Sequence, residues 1–113
     1  MATAQALVPA LLGVRRAGGG LRDVAPRVVG RVVVVTGASR GIGGRVAERL
    51  AAAGAHVIGI ARGAEALERL RDRVRERGGA LEARPLDLRD PAAATRLGEQ
   101  VVRQFGAPGL VVA

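Results

Sequence analysis

The run Arg31-Val32-Val33-Val34-Val35-Thr36 constrains this chain more than any other feature. A continuous β-branched stretch without polar alternation is a strand buried on both faces, which is the interior of a parallel sheet. The chain leaves that strand through Gly37-Ala38-Ser39-Arg40-Gly41-Ile42-Gly43. Ile42, Val46, Leu50 and Ala53 then recur at helical spacing, and Gly54 provides the stop. Gly44 is an extra glycine within this predicted helix, at a cost of about 1 kcal/mol against Ala.

The strand–helix pattern repeats. Residues 55–61 read as a second strand, and His56, the single histidine, is a strand residue rather than a ligand. Residues 64–77 form a second helix with Leu67, Leu70 and Val74 on one face, ended by Gly78-Gly79. Residues 81–86 form a weak third strand. Asp90-Pro91 is an N-cap followed by proline at the first helical position. Ala94, Leu97, Val101 and Phe105 make the buried stripe of that third helix, and residues 110–113 begin a fourth strand. This alternation implies an α/β chain with a parallel sheet and right-handed crossovers.

The glycines between the first strand and helix have separate physical tasks. Gly37 lets the chain turn sharply out of the strand. Gly41 leaves room for an approaching pyrophosphate, and Gly43 permits close packing of helix on sheet. The helix N-terminus presents unpaired N–H groups and a positive dipole end to the phosphates. On these residues the segment Val33-Val34-Val35-Thr36-Gly37-Ala38-Ser39-Arg40-Gly41-Ile42-Gly43 resembles the short-chain dehydrogenase/reductase family, with its TGxxxGxG pattern at Thr36, Gly37, Gly41 and Gly43. The resemblance runs over residues 31–113. It implies the N-terminal half of a Rossmann-type, doubly wound parallel sheet with strand order 3-2-1-4, and it makes Thr36, Gly37, Ser39, Arg40, Gly41, Ile42 and Gly43 cofactor-binding. Leu86-Asp87-Leu88 matches a second family motif, in which Asp87 contacts the adenine ring with Leu88 beside it.

An acidic residue at the end of the second strand would bond a ribose 2′-hydroxyl and select NAD. Here the strand ends Ile60-Ala61-Arg62, with Ala61 where NAD-preferring relatives carry Asp. Arg62 and Arg40 are placed to meet a 2′-phosphate bidentately. NADP(H) is therefore expected in preference to NAD(H).

The resembling family also implies what is missing. Its fourth strand continues into Asn-Ala-Gly, and later come a Ser and a Tyr-x-x-x-Lys that perform the proton chemistry beside the nicotinamide. This sequence has no Tyr, Lys or Asn, and its one Ser, Ser39, belongs to the phosphate turn. A proton donor poised near working pH is needed for such chemistry. The expectation is a fragment of an NADP-preferring oxidoreductase that interconverts carbonyl and alcohol. It would supply dinucleotide binding only, have no catalytic or metal-binding residue of its own, and be a homo-oligomer in full-length form. With sheet neighbours and covering helices missing, it is expected to expose an apolar edge at Leu110-Val111-Val112 and one apolar sheet face. A stand-alone nucleotide-binding or regulatory module remains the alternative.

The net charge is +8 and all 18 basic residues are Arg. They are dispersed, and five arginines in the second helix alternate with Glu65, Glu68, Asp72 and Glu76. Such dispersal reads as a compositional bias rather than a nucleic-acid surface, so no nucleic-acid partner is expected. The lack of Cys excludes disulfides and thiolate metal sites. Residues 1–30 form an N-terminal extension, apolar up to Arg15-Arg16 and then glycine-rich; a flexible arm, a membrane-surface helix and a transit peptide are its competing readings. A cytoplasmic location is the expectation.

Overall fold

The computed structural model describes residues 29–39 and 41–112. The extension readings for residues 1–28 lie outside them. Four strands alternate with three helices: β1 (Val32–Thr36), α1 (Gly41–Ala52), β2 (His56–Ala61), α2 (Ala64–Glu76), β3 (Ala80–Pro85), α3 (Pro91–Phe105) and β4 (Leu110–Val112). The strands form one parallel sheet in the order β3-β2-β1-β4, as the alternation and the family resemblance imply.

The valine run occupies the centre of this sheet. Val33 pairs with Val57 on one side and with Leu110 on the other. Val33 and Val35 face one layer, with Leu50, Leu67, Leu70 and Val74 of α1 and α2. Val34 faces the opposite layer, with Ile58, Ile60 and Val111, and meets Ala94, Leu97 and Val101 of α3. Val33, Val34 and Val35 are each 0% exposed, which explains why the run carries no polar residue. Fully burying such a side chain contributes roughly 1.5–3 kcal/mol.

Three packing expectations are corrected. The buried stripe of α1 is Gly44, Ala47, Leu50 and Ala51, not the series starting at Ile42. Ile42 is 83% exposed, while Val46 and Ala53 are half-buried at the edge of the core. The reason is the close approach of the first turn of α1 to the glycine loop. Cβ atoms would not fit there, so the smallest residues turn inward. A Cβ on Gly44 would stand 3.2 Å from the Ala38 carbonyl oxygen, which accounts for a glycine that helix propensity alone disfavours. In α3, Gly98 joins Ala94, Leu97 and Val101 in the core. Phe105 is only half-buried and sets its ring 5.2 Å from that of His56. Finally, no open apolar sheet face is seen among the described residues: α3 covers the Val34 side, and the exposed large hydrophobics among the described residues, Val29 and Ile42, belong to neither layer.

The turns are fixed by backbone hydrogen bonds. Gly54 ends α1 at φ +98°, and its carbonyl accepts from the Gly30 N–H at 2.9 Å. Asp90 caps α3 as expected, its carboxylate accepting from the N–H groups of Ala92 and Ala93 at 3.1 and 3.2 Å.

Candidate functional site

At the C-terminal ends of β1, β2 and β3 the chain encloses a cleft of about 700 Å³. Its walls come from three connections. Gly37 and Ser39 follow β1, Ala61, Arg62 and Gly63 follow β2, and Asp87, Leu88 and Arg89 follow β3. Open α/β sheets place ligands at this end of their strands, and this volume lies in the range of small-molecule pockets.

The loop after β1 is built by exclusion. Gly37 and Gly41 adopt φ of +64° and +62°, the left-handed region that side chains disfavour. Among the described residues nothing beyond the chain neighbours lies within 4 Å of a Cβ placed on Gly41, so the space above it is open. A Cβ on Gly43, in contrast, would overlap the Gly37 carbonyl oxygen. Gly43 thus allows α1 to approach the turn itself rather than the sheet at large. Ala38 is fully buried and its N–H donates to the Ile60 carbonyl at 3.1 Å, which ties the loop to the end of β2. Gly59 makes room for it, since a Cβ there would lie 3.3 Å from the Ala38 methyl. The result fixes the first turn of α1, and with it a set of unpaired N–H groups, beside the cleft.

The structure therefore gathers Gly37, Ser39, Arg62, Asp87 and Leu88 around one cleft. Gly41 and Gly43 lie in the first turn of α1, which follows the loop after β1, and are not among the lining residues. Ile42 projects into solvent from the first turn of α1. The Thr36 hydroxyl points elsewhere, donating to the Val112 carbonyl at 3.3 Å and bracing β1 against β4. Arg40 lies outside the described residues.

One charged lining residue escaped the sequence reading. Arg89 holds the Asp87 carboxylate through Nε at 3.1 and 3.2 Å, through Nη2 at 3.0 Å, and through its backbone N–H at 2.9 Å. These bonds, the side-chain ones foremost, hold the Asp87 carboxyl below the usual carboxylate range, and the carboxylate raises the Arg89 guanidinium in return. The backbone bond is an Asx-turn, and an Asp followed two residues later by Arg was the signal available for it. Among the described residues no group of three or more His, Cys, Asp or Glu could hold a metal ion, and no helix is long and apolar enough to cross a membrane.

Comparison with known proteins agrees with this geometry. The sequence pattern of the short chain dehydrogenase family matches residues 31–113. Over 75 residues the chain is 44% identical to a fatty acyl-CoA reductase of Acinetobacter baylyi, covering 66% of this chain and 25% of that protein. A solved metagenomic short-chain oxidoreductase in complex with NADP superposes with a TM-score of 0.72 at 34% identity, covering 74% of this chain and 38% of that one. L-sorbose reductase from Gluconobacter frateurii, solved with NADPH and L-sorbose, gives 0.66 at 31% identity, covering 74% and 32%. The chain thus spans about a quarter to two fifths of the length of these proteins. With the family pattern lying over the whole strand–helix array and its glycine turn, the chain belongs to the short chain dehydrogenase family.

Proposed function

We propose that this chain is the dinucleotide-binding half of an NADP-preferring oxidoreductase that interconverts a carbonyl and an alcohol. The observation that carries the reading is the convergence of the glycine turn, the Ala61-Arg62 end of β2 and Asp87 on one cleft. The open space above Gly41 fits a pyrophosphate, because the cradle is one that a Cβ would enter. When bound, the dinucleotide supplies or accepts the hydride. The residues of this chain bind and orient it. N–H groups of the first turn of α1 face the phosphates, and Asp87 and Leu88 border the adenine. Arg62 meets a 2′-phosphate, and Ala61 brings no carboxylate to repel it. Three of the solved relatives were determined with NADP or NADPH, which supports the same choice.

No residue among these 113 matches the Ser, Tyr and Lys that perform proton transfer in the family, so the role argued for these residues is dinucleotide binding. The domain division that goes with this reading is an extension over residues 1–30 followed by the dinucleotide-binding unit. The test is isothermal titration of the chain with NADP and NAD, repeated for Ala61→Asp. Tighter binding of NADP, with the preference shifted toward NAD by the new carboxylate, supports the reading. Tighter binding of NAD by the unmutated chain, or binding of neither, overturns it.

A further inference from the structure

Asp87 is the one carboxylate among the described residues that line the cleft, and two lining arginines, Arg62 and Arg89, accompany it. An ionised carboxylate offers about four acceptor positions. Among the described residues the Asp87 carboxylate accepts four hydrogen bonds, all from Arg89: its N–H and Nε reach Oδ1, and its Nε and Nη2 reach Oδ2. Arg62 lines the same cleft. Without Arg89, Asp87 would carry an unpartnered charge in a cleft that Arg62 also lines, and charge-assisted pairing with Arg62 would be open to it. The side chains of Arg89 and Asp87 are 69% and 43% exposed, so their pair adds little to the stability of the fold. Its consequence is local: it decides where the negative charge of the cleft is spent.

We infer that Arg89 is a positioning residue for cofactor choice: by occupying the Asp87 carboxylate it leaves Arg62 unpaired for a 2′-phosphate and removes a charge that would repel that phosphate. This rests on the reading of the cleft as the NADP site. Arg89 acts through Asp87 and need not touch the ligand.

The test uses the full 113-residue chain and two probes that reach only the adenosine end of the cleft, adenosine 2′,5′-bisphosphate and adenosine 5′-monophosphate. The readout is the ratio of their dissociation constants by calorimetry, alongside the melting temperature. Arg89→Met lowers the selectivity for the bisphosphate by about threefold to tenfold, the effect of one unit charge a few ångströms away in a solvated cleft, with the melting temperature little changed. Arg89→Lys restores part of the selectivity, because it keeps the charge and loses the bidentate grip. In an Asp87→Asn background, Arg89→Met changes the ratio by less than about twofold, because the two residues act as one unit. An unchanged ratio in Arg89→Met overturns the inference. So does an equal fall in the Asp87→Asn background, which would place Arg89 directly on the phosphate. An unmutated chain that does not prefer the bisphosphate overturns the reading of the site itself, and the two failures are thereby distinct.

Discussion

Gly43 and Gly44 are adjacent, both helical, and both would gain from replacement by Ala if helix propensity alone decided. That gain is about 1 kcal/mol at an interior position and less in a first turn. The structure separates them. A Cβ on Gly43 would overlap the Gly37 carbonyl oxygen and lie 2.8 Å from its carbon, both backbone atoms of a turn that Ala38 anchors to β2. The turn cannot give without breaking that anchor, so the substitution carries an overpacking cost at the upper end of about 1–3 kcal/mol. The net expectation for Gly43→Ala is a loss of about 2 kcal/mol. At Gly44 the new Cβ would meet the Ala38 carbonyl oxygen at 3.2 Å, a contact relieved by a shift of a few tenths of an ångström. Its cost is comparable with the propensity gain, and Gly44→Ala should change stability by less than about 1 kcal/mol. Urea unfolding of the two variants beside the unmutated chain measures both. Equal stabilities for Gly43→Ala and Gly44→Ala would refute the steric argument and return both glycines to the status of helix defects.

Three further outcomes follow from the same geometry. A Cβ on Gly41 meets no atom of the other described residues within 4 Å, so the main expected effect of Gly41→Val on folding is the strain of a β-branched residue at φ +62°, while its side chain enters the space left for a pyrophosphate; dinucleotide binding measured by calorimetry should be lost, and normal binding would contradict the assignment. Asp90→Ala removes the acceptor for two N–H groups at the start of α3 and should cost about 1 kcal/mol, read as a lower midpoint in thermal or urea unfolding. The folded-state pKa of Asp87 is depressed, so the pair contributes stability above the ordinary carboxylate range and loses it as pH falls through the folded value; a carbon-detected NMR titration should place its midpoint below the ordinary range, and Arg89→Met should raise it.

Much of the fold was legible because parallel sheets leave a strong mark. Val32 to Val35 carry no polar residue, and in the sheet both faces of the run are covered. The cap at Asp90, the stop at Gly54 and the face made by Leu67, Leu70 and Val74 were read directly, since each depends on local chemistry. What the pattern could not give was the rotation of α1. Counting apolar residues selects Ile42 and Val46, but the helix is oriented by how closely its backbone approaches the loop, and glycines and alanines register weakly in such a count. Likewise Arg89 belongs to no glycine pattern; it enters the cleft because the Asx-turn at Asp87 folds the chain back on itself.

The central claim is that the glycine turn, the end of β2 and the Asp87 loop form one dinucleotide site. Chemical-shift mapping of the labelled chain during titration with NADP tests it most directly. The account predicts that backbone amides of Gly37, Ser39, Gly41, Gly43, Arg62, Asp87, Leu88 and Arg89 shift together with one saturation curve, while Arg75, Ala80 and Glu82 at the opposite ends of the strands stay in place. Shifts confined to those opposite residues, or scattered over the surface arginines without saturation, would contradict it.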